Sequence, residues 1–190
     1  MSDALHVLHV CTGNLCRSPL AEHLMRAGLV ARLGDAAAAF VVTSAGTMGH
    51  EGEPMEPFAR EVLAERGLDG ADFRVRQLTA EQIGRADLIL AVTRQHRLAV
   101  AELDPGAVGR TFTLREYARL AEGVSPADLP HGAVARARAL VALLATRRSP
   151  AARPRDDDLA DPYQGPKRGF EACAGAVEAA LRSPLDLLVT

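Results

Sequence analysis

Short apolar runs alternate along this chain with longer stretches in which apolar residues recur at helical spacing. Residues 5–10 form the first run, rich in β-branched side chains, and predict a buried strand that ends at Cys11-Thr12-Gly13-Asn14. Residues 18–33 predict a helix, with Ser18 near its start, Pro19 in the first turn and Gly34 as its stop. A second strand is expected over 40–43, closed by Ser44-Ala45-Gly46. A loop rich in Gly and Pro (47–57) then leads to a helix over 58–66 that Gly67 ends. The pattern continues with a strand over 87–92, a helix over 93–102, a short strand over 110–114 and a helix over 115–121.

Strands alternating with helices imply βαβ units, and hence a parallel sheet with helices on both faces. The expected fold is α/β: a doubly wound four-stranded parallel sheet of flavodoxin-like order. Such sheets bind ligands beyond the carboxyl ends of their strands, where the strand order reverses. The end of the first strand is therefore the place to look for chemistry. The pattern changes over residues 122–158: a Pro-containing loop, an Ala-rich amphipathic helix over 132–148, a Pro/Arg-rich linker over 149–155, and Asp156-Asp157-Asp158. That acidic run reads as a solvated stretch. A last helix over 168–181 and a short apolar end at 185–189 close what is expected to be one domain over 1–190.

Composition narrows the function. The 190 residues carry 22 basic and 24 acidic side chains, a net charge of −2, so no basic field for nucleic acid and no polybasic membrane signal is set up. No apolar stretch approaches the ~20 residues of a spanning helix, and residues 1–6 lack a signal peptide's basic start. Three cysteines do not make a secreted disulfide framework, so a cytoplasmic protein with reduced thiols is expected.

The segment Cys11-Thr12-Gly13-Asn14-Leu15-Cys16-Arg17-Ser18 lies between a predicted strand and a predicted helix. A loop feeding a helix N-terminus aims unpaired N–H groups at one point, and the helix dipole adds positive potential: this is an anion site. Gly13 and Asn14 tolerate the left-handed backbone that lets a short loop curl around an oxyanion. Arg17 offers a planar fork to two phosphate-like oxygens. The same positive field favours a thiolate at Cys11, to which Ser18 could donate. A thiolate beneath a bound tetrahedral oxyanion is placed for in-line attack on phosphorus. A zinc site of Cys11, Cys16 and a nearby His is the weaker reading, since a lone C-x4-C pair is a poor zinc signal. Cys173, inside the last predicted helix, reads as core.

The stretch Val10-Cys11-Thr12-Gly13-Asn14-Leu15-Cys16-Arg17-Ser18-Pro19-Leu20-Ala21-Glu22 resembles the signature loop of the low-molecular-weight protein tyrosine phosphatases. Thr43-Ser44-Ala45-Gly46-Thr47 resembles the family's second-strand motif, and Asp161-Pro162-Tyr163 its late acid motif. The resemblance spans roughly 5–120 and 161–181, leaving 122–158 as a family-atypical insertion. It implies a phosphatase acting on phosphotyrosine-type monoesters of proteins or small molecules through a phosphocysteine intermediate, without metal or cofactor. Cys11 is then the nucleophile, Arg17 grips phosphate oxygens and stabilises the transition state, and Asp161 is general acid and then base. Backbone N–H groups of Thr12, Gly13, Asn14, Leu15, Cys16, Arg17 and Ser18 complete the cradle, Ser18 stabilises the thiolate, Ser44 braces Asn14, and Tyr163 walls the cleft. The resemblance also makes Cys16 a candidate disulfide partner that protects Cys11.

Two positions depart from the family pattern. Met48, Gly49 and His50 stand where many members place a large aromatic, and Gln164 replaces a second aromatic. Phosphoarginine phosphatases share the loop but usually have Thr where Leu15 stands, and an apolar Leu15 suits an aryl ring better. Arsenate reductases need further cysteines that are missing between Cys16 and Cys173. A non-catalytic phosphate-binding module would lack a nucleophile or an acid. In the insertion, Val134, Leu140, Val141, Leu143 and Leu144 predict an apolar face packed on the domain. Arg136, Arg138, Arg147 and Arg148 are expected in water, or else, with Arg153 and Arg155, near the cleft to steer acidic substrates.

Overall fold

In the computed structural model, described here for residues 4–148 and 157–189, four parallel strands form one sheet in the order β2-β1-β3-β4. They are β1 (Leu5–Cys11), β2 (Phe40–Gly46), β3 (Leu88–Ala91) and β4 (Thr111–Thr113). The helices are α1 (Arg17–Leu33), α2 (Pro57–Ala64), α3 (Ala80–Arg85), α4 (Arg94–Leu103), α5 (Leu114–Ala121), α6 (Ala133–Thr146) and α7 (Lys167–Asp186). The α/β doubly wound expectation holds. Because β1 pairs with β2 on one side and β3 on the other, the strand order reverses beside β1, and its carboxyl end opens into the crevice.

Alternation along the strands builds two cores. Leu5 and Val7 of β1, Leu88 and Leu90 of β3, and Phe112 of β4 pack with α1, α5 and α7 on one face. Leu8, Val10 and Ile89 point the other way, against Ile83 of α3 and Val100 of α4. No helix among the described residues is long and apolar enough to cross a membrane.

Several elements differ from the sequence pattern. β2 runs on through Ser44-Ala45-Gly46, since Gly46 pairs in register with Cys11. The helix α3 has no strong apolar period, yet Thr79 and Gln82 form a reciprocal capping box that starts it. The final helix continues to Asp186, absorbing the expected apolar end: Leu181 and Leu185 are buried, and Pro184 falls in its last turn.

Helix α6 packs on the domain, as its apolar face suggests; Arg138 and Arg147 are exposed as expected, Arg136 and Arg148 are drawn inward, and none of the four lies near the crevice. Arg136 is buried and donates to the carbonyls of Leu187, Pro130 and Pro126 at 2.6, 3.2 and 3.0 Å. Arg138 reaches the Ala4 carbonyl and Asp87, at the amino ends of β1 and β3. Arg147 donates to Leu120 O, and Arg148 lies 3.9 Å over the Phe112 ring and pairs with Glu116 at 3.3 Å. These contacts put α6 at the end of the sheet opposite Cys11. Steering by Arg136, Arg138, Arg147 and Arg148 is thereby overturned; Arg153 and Arg155 lie outside the described residues.

Candidate active site

Strand β1 delivers Cys11 to the crevice, and the chain then turns through Thr12–Cys16 into α1. Asn14 makes that turn with φ of 54°, the left-handed geometry expected at Gly13 or Asn14; Gly13 itself has no positive φ. Cys16 occupies the N-cap of α1 with no side-chain cap hydrogen bond, so no cap side chain takes up the first-turn amides.

The contacts converge on one sulfur. Ser18 Oγ lies 2.9 Å from Cys11 Sγ, and the Asn14 backbone N–H donates to the same sulfur at 3.2 Å. Asn14 Nδ2 donates to Ser18 Oγ at 2.9 Å and to Ser44 Oγ at 2.8 Å, while its Oδ1 accepts from the Arg76 backbone N–H at 2.9 Å. Both donors and the acceptor of that amide are thus used; Ser18 Oγ accepts one of them and stands 2.9 Å from Cys11 Sγ and 3.5 Å from the Ala45 carbonyl, so its hydroxyl proton has the sulfur as its nearer acceptor. Ser44 passes its own proton to Glu22 Oε2 at 2.6 Å, and Arg76 and Arg26 neutralise this buried carboxylate at 2.7 Å each. The loop therefore rests on a chain of polar groups ending in a paired buried charge. Ser44 braces Asn14 as expected. Glu22 and Arg76 complete the brace and were not singled out from the sequence, although Glu22 lies one helical turn beyond Ser18.

Gly46 closes the back of the loop. A Cβ there would stand 2.5 Å from Thr12 O and 2.8 Å from Asn14 N, so only glycine lets β2 approach this closely. Backbone bonds from Thr47 N to Cys11 O (2.9 Å) and from Met48 N to Thr12 O (2.8 Å) tie the two segments together.

Asp161 reaches the site from a segment 144 positions away, and its carboxylate accepts from Arg17 Nη2 at 2.5 Å. Arg17 is nearly buried and also donates to Leu159 O at 3.4 Å. Asp157 and Asp158, read from sequence as solvated, instead anchor this segment: Asp157 is buried against Arg119 at 3.0 Å, and Asp158 holds the backbone N–H and guanidinium of Arg94 at 2.7 and 3.0 Å. Asp156 lies outside the described residues.

A cavity of about 400 Å³ opens above Cys11, walled by Thr12, Gly13, Leu15, Cys16, Arg17, Met48, His50, Glu53, Asp161 and Tyr163. It brings together every predicted site residue except Asn14, Ser18 and Ser44, which stand behind it as buried supports. Gln164 does not line the cavity; it sits in a tight turn at φ of 59° closed by Gly165 N to Pro162 O. Glu53, which pairs with His50 at 3.5 Å, is an addition the sequence did not signal. The rim's charge is therefore acidic, from Glu53 and Asp161, around the Arg17 floor. Cys16 is a free thiol, pushed strongly up by burial and then by Glu56. Burial likewise pushes Cys173, in α7, up to about 11. Among the described residues no three His, Cys, Asp or Glu side chains gather closely enough to hold a metal.

Comparison with known proteins agrees with this geometry. The family model described as low molecular weight phosphotyrosine protein phosphatase matches residues 6–130. A low molecular weight protein-tyrosine-phosphatase of Streptomyces coelicolor is 37% identical over 177 residues, covering 92% of this chain and 87% of that one. Among solved structures, a low molecular weight protein tyrosine phosphatase from T. tengcongensis superposes with a TM-score of 0.71 at 28% identity, covering 96% and 99%. An arginine phosphatase from Geobacillus stearothermophilus does so at 0.69 and 28%, covering 96% and 91%.

Proposed function

Because this chain belongs to the low molecular weight phosphotyrosine protein phosphatase family and is a phosphatase enzyme, we propose that it hydrolyses phosphotyrosine-type monoesters, on proteins or small molecules, through a phosphocysteine intermediate. The carrying observation is the convergence of Ser18 Oγ and the Asn14 N–H on Cys11 Sγ. Donors that point at sulfur are complementary to a thiolate, the form that attacks.

The steps follow from the placement of each group. Cys11 Sγ attacks phosphorus in line with the ester oxygen; the S–P bond forms as the P–O bond breaks. Asp161 gives its proton to the departing phenolic oxygen. Arg17 and the backbone N–H groups of residues 12–18 take up the charge on the equatorial oxygens, the stabilisation a metal supplies in other phosphoryl transfers. Asp161 then removes a proton from water, which attacks phosphorus, releases phosphate and returns the electron pair to sulfur. Ser18 stabilises that leaving thiolate. Arg17 is already bonded to Asp161, so an entering phosphoryl group competes with the carboxylate for one guanidinium, which couples substrate binding to release of the acid.

Leu15, Met48 and Tyr163 give the cleft apolar walls that suit an aryl ring. A second reading, phosphoarginine hydrolysis, is favoured by Glu53, an acidic side chain that lines the cleft together with Asp161 and could pair with a guanidinium. Assays on an aryl phosphate, phosphoarginine and arsenate separate the readings. Turnover of the aryl phosphate without added metal, abolished in Cys11→Ser and in Arg17→Ala, is expected. Strong activity in Cys11→Ser would overturn the mechanism, and faster phosphoarginine turnover would overturn the substrate.

A further inference from the structure

The residue after the proposed nucleophile is a threonine, and its hydroxyl is engaged from outside the loop. Thr12 Oγ1 lies 2.8 Å from His96 Nε2, and His96 Nδ1 lies 2.6 Å from Thr93 Oγ1. Thr93 is the N-cap of α4, and its Oγ1 accepts the backbone N–H of His96 at 3.3 Å. His96 is buried; desolvation, then the charge of Arg17, push its imidazole down to about 4. One ring nitrogen therefore carries a proton near neutral pH and the other accepts. Thr12 itself lines the cavity with Cys11 and Arg17.

We propose that His96 is a positioning residue that holds the Thr12 hydroxyl as a proton donor aimed at a phosphoryl oxygen. The inference rests on reading the loop as a phosphoryl cradle. The Thr93 oxygen accepts from the helix backbone, and in the proposed arrangement its hydroxyl proton goes to His96 Nδ1. The ring proton then sits on Nε2 and is donated to Thr12 Oγ1. That leaves the Thr12 proton for the cradle, a side-chain donor added to the backbone amides and Arg17. The first turn of α4 also carries Arg94, whose N–H and guanidinium hold Asp158, three residues before Asp161. One helical turn thus touches both the cradle and the segment that brings the acid.

The test compares Thr12→Val and His96→Leu, which break the relay, with Thr12→Ser and His96→Gln, which keep a hydroxyl or an N–H donor. The readouts are kcat/KM on an aryl phosphate and the inhibition constant of inorganic phosphate. Each breaking variant is expected to lower kcat/KM about tenfold and to weaken phosphate inhibition in parallel, below the ~100-fold typical of a central oxyanion donor. The double variant should be no worse than the poorer single one, because both act on the same oxygen. The conservative variants should stay within about threefold of wild type. If His96→Leu lowers thermal stability sharply, Thr12→Val and His96→Gln decide alone. Thr12→Val within about twofold of wild type, or losses that multiply in the double variant, overturns the proposal. Failure of the underlying reading looks different: wild type would not hydrolyse the ester, or Cys11→Ser would.

Discussion

Replacing Gly46 by alanine tests how tightly the strand behind the loop defines the catalytic geometry. The added Cβ would lie 2.5 Å from Thr12 O, 2.8 Å from Asn14 N and 2.9 Å from the Gly13 carbonyl carbon, all backbone atoms. Ordinary contact begins near about 3.5 Å, so the two segments must part by roughly 1 Å. The strand cannot retreat, because Gly46 N donates to Arg76 O at 2.9 Å and Gly46 O accepts from Leu78 N at 2.7 Å. The loop therefore yields, carrying Cys11 and Asn14 with it. A misplacement of about 1 Å at the reacting atoms costs on the order of 100-fold in rate. Steady-state kinetics on an aryl phosphate should show that loss in kcat/KM. Cooperative unfolding should persist, with stability reduced by about 1–3 kcal/mol. A folded Gly46→Ala protein within about threefold of wild-type kcat/KM would refute the reasoning.

Three further outcomes follow from groups outside the reaction itself. Burial and Arg26 hold His9 down to about 3, against 6.5 when unfolded, so the unfolded chain alone binds that proton between these values. Stability is then complete above the window and falls as pH drops through it, by up to about 1.4 kcal/mol per pH unit. Urea titrations should show wild type losing about 2–3 kcal/mol more than His9→Gln between pH ~7 and pH ~4.5; equal losses would contradict the buried neutral imidazole. Arg136→Ala strands three carbonyls and should cost about 3 kcal/mol in denaturant titration while leaving kcat/KM unchanged; a kinetic defect would mean that α6 communicates with the cleft. With the Glu53 carboxylate on the rim, phosphotyrosyl peptides flanked by Lys or Arg should outperform Glu-flanked ones several-fold at low salt, less so at high salt and less so in Glu53→Gln. Equal rates would show that Glu53 does not read the flanks.

The loop from Cys11 to Ser18 was legible because its chemistry is local: a strand end, a left-handed turn and a helix start, each signalled by residue type. The α/β alternation was legible for the same reason. What escaped were the pairings made across the chain. Asp157 and Asp158 look solvated as a run of three acids, yet their partners Arg119 and Arg94 lie 38 and 64 positions away. Glu22 and Arg76 meet across 54 positions, and His96 reaches Thr12 across 84, so neither contact leaves a spacing to read. Arg136 looks like one of several helix-surface cations until Leu187 and the loop after α5 close over it. Even β2 looks shorter in sequence than it is, because Ser44-Ala45-Gly46 resembles a turn until the Cys11 pairing extends it.

The central claim is a covalent phosphate on Cys11, and Asp161→Asn offers the most direct view of it. With an activated phenol as leaving group, the first step needs no proton donor, whereas hydrolysis still needs the carboxylate as base. Rapid acid quench and peptide mass mapping of Asp161→Asn during turnover should therefore find phosphate accumulating on Cys11, in nearly stoichiometric amount. Absence of any adduct while product forms, or phosphate on Cys16 or another residue, would contradict the account.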